Sequence, residues 1–119
     1  MKRGNNMNIL TAIPRIYISN LQPHLDFYKS LLKQEQPHEF QVNETKVVRF
    51  SNVLLIVDEN HIATRHIAAT LVTDTIQFAK QFIVKHGGDI LTEPISVPTG
   101  IKMIARHPDG NIFEYIEPK

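Results

Sequence analysis

The sequence predicts an α+β fold of two tandem βαβββ modules, whose strands form a cupped mixed sheet with the helices on its outer face. Three observations support this prediction. The 119 residues suit one ordinary domain. The sequence pattern predicts the same order of elements twice: a strand, a helix and three further strands. Ile18-Ser19-Asn20 in the first copy matches Val72-Thr73-Asp74 in the second. Each module leaves one sheet face uncovered, so two modules can pair and enclose a cup for a small molecule.

The first module begins with a strand from Ile9 to Ser19, where apolar and polar residues alternate. Asn20 is expected to cap a helix that runs to about Gln34. Its apolar residues recur at helical spacing: Leu21, Leu25, Tyr28 and Leu32. The segments EFQV, KVVRF and VLLIV then predict three short antiparallel strands.

The second module repeats this order, beginning with a strand from His66 to Val72. Asp74 and Gln77 have the spacing of a helix-capping box, and Gly87-Gly88 is expected to end the helix. The segments DILTEPISV, GIKMIAR and NIFEYIE predict three more strands, the last two joined by the tight turn His107-Pro108-Asp109-Gly110.

The amino-acid composition indicates which binding partners and which cellular compartment to expect. Thirteen Lys and Arg against twelve Asp and Glu give a net charge of +1, so no nucleic-acid partner is expected. The absence of cysteine excludes thiolate chemistry and indicates a cytoplasmic setting, and no apolar stretch is long enough to cross a membrane. We expect residues 1–8 to form a flexible extension and residues 9–119 one domain, with modules at about 9–60 and 61–119.

Two motifs connect the chain to a known family. Ile18-Ser19-Asn20-Leu21 followed by Phe27-Tyr28 resembles the pattern V-x-D-L…FY, and the segment from His107 to Glu114 resembles D-P-D-G-N-x-x-E. These are patterns of the vicinal oxygen chelate superfamily, which contains glyoxalase I, extradiol dioxygenases, and fosfomycin- and bleomycin-resistance proteins. The resemblance covers roughly residues 9–118 and implies the glyoxalase/bleomycin-resistance fold.

In the metal-dependent members, the resemblance implies one ligand at the start of the first strand and one on the last strand of each unit. The family's spacing places Ile13 and Leu55 at the two positions of the first unit, and both are apolar. In the second unit Glu114 stands at one position, while the spacing points to Ile67 for the other and not to its neighbour His66. No metal cofactor is therefore expected; if a divalent metal binds, His66 and Glu114 are its candidate ligands.

Three polar residues are candidates for contacting a ligand. Glu114 alternates with Ile112 and Ile116 and is a candidate general base or hydrogen-bond acceptor, although it could instead form an ion pair, for example with Arg15. Arg15 and Tyr17 share the strand face opposite the helix, where they could bind an anionic group and stack on a ligand. Alternatively, they cover surface and fill space.

These residues support three functional hypotheses. The first is a non-metallated superfamily member that binds a small organic molecule through Arg15, Tyr17 and Glu114. The second is an enzyme, a metal-dependent glyoxalase-like lyase or isomerase or a dioxygenase relative. The third is an antibiotic-sequestering resistance protein. A homodimer is expected because exposed sheet edges favour pairing.

Overall fold

A computed structural model describes residues 7–42, 44–57 and 66–119. It confirms the predicted α+β class and the βαβββ order of each half. The elements are β1 (Ile9–Ile18), α1 (Gln22–Leu32), β2 (His38–Val42), β3 (Thr45–Arg49), β4 (Leu54–Val57), β5 (Ile67–Thr73), α2 (Ile76–Lys85), β6 (Asp89–Val97), β7 (Gly100–Arg106) and β8 (Ile112–Pro118).

The chain divides into two compact units. The α1 unit comprises Pro14–His66, and the α2 unit comprises the chain up to Ile13 together with Ile67–Lys119. The beginning of β1 therefore groups with the second copy of the repeat. The predicted module boundary near residue 60 lies outside the described residues, as do residues 1–6 of the predicted extension.

In the α1 unit the strand order is β2-β3-β4-β1, with β4 parallel to β1 and antiparallel to β3. Helix α1 packs on one face of these strands because its apolar stripe needs a partner surface. The core cluster beneath it consists of Ile18, Leu25, Val48, Phe50 and Leu55.

In the α2 unit the order is β5-β8-β7-β6, with β5 parallel to β8 and the remaining pairs antiparallel. Helix α2 covers one face of this sheet and contacts β6, β7 and β8. The core cluster consists of Ile76, Ala79, Ile83, Met103, Ala105 and Tyr115, and Met7 packs against it.

The start and end of α1 differ from the prediction. Leu21, not Asn20, is the N-cap residue, and it makes no side-chain capping bond. Were Asn20 the cap, the third helical residue would be Pro23, which has no N–H to donate to the cap. The helix ends at Leu32 and not near Gln34, because Lys33 adopts a left-handed conformation with φ 57°.

The predicted capping box of α2 is also wrong. Thr75 is the N-cap residue, and its side chain accepts a hydrogen bond of 3.3 Å from the N–H of Phe78, so Gln77 takes no part. Asp74 has another partner: its Oδ1 accepts from the backbone N–H of Asn8 at 2.9 Å, and its Oδ2 accepts from Asn8 Nδ2 at 3.0 Å. Asn8, at the end of the predicted flexible extension, is thus held against the end of β5.

The hydrogen bonds from Asn8, first from its backbone and then from its side chain, hold the pKa of Asp74 below the ordinary value of 3.8. We expect Asn8→Ala to raise this pKa toward 3.8 without reaching it, because the backbone donor remains. A carboxyl whose pKa is lowered on folding stabilises the fold above pH 3.8, and this contribution is lost as the pH falls through the folded value.

An NMR titration of the side-chain carboxyl signals measures this change. Asp109 is the internal control, since its pKa is lowered by the backbone N–H of Asn111 and not by Asn8. Equal shifts of Asp74 and Asp109 in the variant would contradict a specific link between Asn8 and Asp74.

Candidate functional site

Glu114 lies on the face of the α2 unit that turns away from α2. Successive side chains of a strand point to opposite faces, and Tyr115 packs in the cluster against α2. Glu114 pairs with Thr70 of β5 and with Ile104 of β7. We call this surface the helix-free face of the α2 unit; its members are Thr70, Val72, Lys102, Ile104, Glu114 and Ile116.

Thr70 positions the Glu114 carboxylate. The Thr70 hydroxyl donates a hydrogen bond of 2.8 Å to Glu114 Oε1, and Thr70 is only 3% exposed. The strand register is irregular between Ile67 and Thr70. These two residues are three positions apart in β5, but their partners in β8, Ile112 and Glu114, are only two positions apart. Sequence reasoning missed Thr70 because nothing local indicates this bulge.

The carboxylate lies among apolar side chains. Ile116 and Val72 on the same face are buried, Ile104 is partly buried, and Glu114 itself is half-buried. A carboxylate in such surroundings can accept several hydrogen bonds at once, so it can hold Thr70 and a ligand donor together. The arrangement suits recognition of a small molecule that has both an apolar part and a donor group.

Arg15 and Tyr17 lie on β1 in the α1 unit, on the face opposite Ile16 and Ile18, which pack toward α1. The Arg15 Cζ atom lies 5.9 Å from the centroid of the Tyr17 ring, within cation–π range. The predicted shared face of these two residues is confirmed. Because Glu114 belongs to the other unit, a ligand or ion pair shared between Glu114 and Arg15 stays a prediction.

The metal-ligand positions inferred from the family need one correction. Leu55 lies in the core cluster beneath α1, whereas the strand face away from that helix carries Leu54 and Ile56. The count from Asn52 was therefore one residue out of register, which reverses the face. The residues on the correct face are also apolar, so the α1 unit still offers no ligand there.

The other position inferred from the family lies at the start of β5. Ile67 is the first residue of β5 and is buried, whereas His66 precedes the strand and is exposed. Within residues 7–42, 44–57 and 66–119 no group of three or more His, Asp or Glu side chains could hold a metal ion. These residues do not fit a metal centre of the usual kind, which has three or more protein ligands.

His107 packs on the opposite side of β8 from Glu114. Its Nε2 atom lies 2.7 Å from the Tyr115 hydroxyl, and its ring stacks on Phe113 with centroids 4.3 Å apart. Burial raises the pKa of Tyr115 to about 12. His107 therefore joins the turn before β8 to the core under α2 and is not near the helix-free face.

Comparison with known proteins gives a relative above 30% identity. No protein-family model matches the chain. No curated protein matches it either. Among solved structures, an uncharacterized protein from Methanosarcina mazei is 33% identical, with 94% of each chain covered and a TM-score of 0.87. The chain belongs to the same family as this protein.

Two further structures identify the fold. Methylmalonyl-CoA epimerase from Mycobacterium tuberculosis is 12% identical, with 93% of this chain and 90% of that chain covered and a TM-score of 0.67. A glyoxalase/bleomycin resistance protein/dioxygenase superfamily member from Vibrio splendidus is 16% identical, with 90% of this chain and 97% of that chain covered and a TM-score of 0.52. The chain has the vicinal oxygen chelate fold.

The vicinal oxygen chelate fold confirms the resemblance predicted from the two motifs. The second motif forms the turn from β7 into β8, where Gly110 donates its N–H to the His107 carbonyl and the motif ends at Glu114. Neither helix in the described part of the chain is long and apolar enough to cross a bilayer.

Proposed function

We propose that this protein binds a small organic molecule and that Glu114 is the hydrogen-bond acceptor that orients it. The observation that supports this most directly is the half-buried Glu114 carboxylate, fixed by the Thr70 hydroxyl on an otherwise largely apolar sheet face. Because the Thr70 hydroxyl holds the Glu114 side chain in one orientation, a ligand donor can bind the carboxylate without the entropic cost of ordering that side chain. The apolar surface beside the carboxylate favours ligands that also have an apolar part.

In the α1 unit we propose Arg15 and Tyr17 as ligand-contacting residues. Both are half-buried on the strand face away from α1, and the guanidinium lies beside the aromatic ring. An arginine held in this way can bind an anionic group through two hydrogen bonds, and the ring offers a surface for stacking. We also propose that the protein is cytoplasmic. We further propose that it forms a homodimer, and sedimentation analysis would test this oligomeric state.

The test is a screen of small metabolites and antibiotics by native mass spectrometry and ligand-observed NMR. We expect Glu114→Gln to weaken binding of a captured ligand by about tenfold or more, because hydrogen bonds to charged groups contribute about 1.5–3 kcal/mol. Glu93→Gln removes an exposed carboxylate from β6 and is the matched control. Binding that survives Glu114→Gln unchanged would contradict the proposed role.

A second candidate function is catalysis by proton transfer, with Glu114 as a general base next to a carbonyl. Its support is that two methylmalonyl-CoA epimerases, with TM-scores of 0.67 and 0.66, share the fold. Deuterium exchange into a bound ligand that is lost in Glu114→Gln would favour catalysis, whereas binding without turnover would favour sequestration. Stoichiometric metal lost in the same variant would favour the metal-dependent alternative with His66.

A further inference from the structure

A second charged residue shares the helix-free face with Glu114. On β7, Met103 and Ala105 pack in the cluster under α2, so the alternate residues Lys102 and Ile104 turn the other way. Glu114 is directly opposite Ile104, and Lys102 is opposite Ile116. Lys102 is therefore the diagonal cross-strand neighbour of Glu114, and such neighbours have Cβ atoms roughly 7–8 Å apart, within reach of long side chains.

Lys102 is half-buried, and among the described residues it takes part in no ion pair. Lysines that are drawn partly into a sheet surface usually have a carboxylate partner there or extend their amine into water. Here Thr92 and Ile95 of β6 pair with Ile104 and Lys102 on the outer side, and neither supplies a negative charge. The ammonium group is thus available to an anionic ligand group beside Glu114.

We propose that Lys102 and Glu114 together recognise a small 2-hydroxy carboxylic acid with a short apolar side chain. The ligand carboxylate pairs with the Lys102 ammonium group, and its hydroxyl donates to the Glu114 carboxylate. Its apolar side chain packs on Ile104 and Ile116. This inference rests on the proposed function and adds the ligand class.

The charges on this face favour that class over two others. Glu114 would repel a phosphate ester or another polyanion more strongly than it repels a single carboxylate, and phosphate sites usually present arginine or several backbone N–H groups. A neutral ligand would cover Lys102 without pairing it, which costs free energy when a charge is desolvated. A single carboxylate beside a hydroxyl donor gives the Lys102 ammonium group an ion-pair partner and gives the Glu114 carboxylate one more hydrogen bond in addition to that from Thr70.

The test uses 2-hydroxyisocaproate as the probe and two analogues, its methyl ester and isocaproate. The ester lacks the anionic group, and isocaproate lacks the 2-hydroxyl. We expect the probe to bind in an NMR titration of the intact chain. Each analogue should bind about tenfold more weakly or worse, as loss of one charge-assisted hydrogen bond predicts.

Two variants assign each ligand group to its protein partner. Lys102→Met should weaken the probe to the level of the ester and leave the ester unaffected, whereas Glu114→Gln should remove the preference for the probe over isocaproate. Lys85→Met, at the exposed C-terminal turn of α2, is the matched control and should bind the probe normally.

Failure of this inference can be distinguished from failure of the proposed function. If the probe does not bind, or if Lys102→Met binds probe and ester as the native protein does, the ligand class is wrong. The proposed function survives that result if Glu114→Gln still weakens another ligand found in the screen. Both fail if Glu114→Gln affects no ligand.

Discussion

Phe50→Ala is expected to lower the free energy of unfolding by about 3–5 kcal/mol, as is usual for truncating a buried aromatic side chain. Phe50 is 1% exposed and lies with Leu25 of α1 and Val48 of β3 in the core cluster of the α1 unit. Its removal leaves a cavity that the surrounding strands cannot fully close. Urea unfolding followed by circular dichroism measures the change.

Phe27→Ala is the matched control, because Phe27 is 58% exposed on α1. The same truncation there should change the free energy of unfolding by no more than about 0.5 kcal/mol. Similar losses in the two variants would mean that α1 packs on the strands through a different face.

Gly100→Ala is expected to destabilise the protein by about 3 kcal/mol or more. A Cβ atom at this position would overlap the Glu117 carbonyl oxygen and lie 3.0 Å from Pro118 Cα, and the φ angle of 147° is one that other residues rarely adopt. The clash and the backbone strain each cost roughly 1–3 kcal/mol. Thermal and urea unfolding would show the loss.

Gly110→Ala separates the clash from the strain. Gly110 also has a positive φ, 94°, but a Cβ atom there meets nothing within 4 Å. This variant should pay only for the strained conformation, about 1–2 kcal/mol. If Gly110→Ala proved as costly as Gly100→Ala, close approach of β8 to β7 could not be the cause.

The sequence predicted the order of elements because hydrophobic periodicity is a local property of the chain. The alternation of Glu114 with Ile112 and Ile116 predicted their common face, and Gly87-Gly88 marked the end of α2, where the N–H of Gly88 donates to the Ile83 carbonyl. These features depend on residues a few positions apart, so they are legible in one segment.

Features that depend on distant residues were not predictable. Asp74 has the residue type of a helix cap, but it binds Asn8, which lies 66 positions away. The role that we propose for Lys102 was not predictable, because the place of this residue beside Glu114 depends on the register between β7 and β8. Leu55 was assigned to the wrong face because the two copies of the repeat were aligned through a turn and not through strand pairing.

The irregularity in β5 affects how relatives of this chain should be compared. Ile112 and Glu114 are two positions apart and share one side of β8. Their partners in β5, Ile67 and Thr70, are three positions apart, which in a regular strand would place them on opposite sides. Loss of a single residue between them, at Ala68 or Ala69, would leave two steps on each strand, so Ile67 and Thr70 could keep Ile112 and Glu114 as partners in a regular ladder. A homologue that is one residue shorter here can therefore keep the same side chain next to Glu114, provided that the gap in the alignment is placed at the irregularity and not elsewhere in the strand.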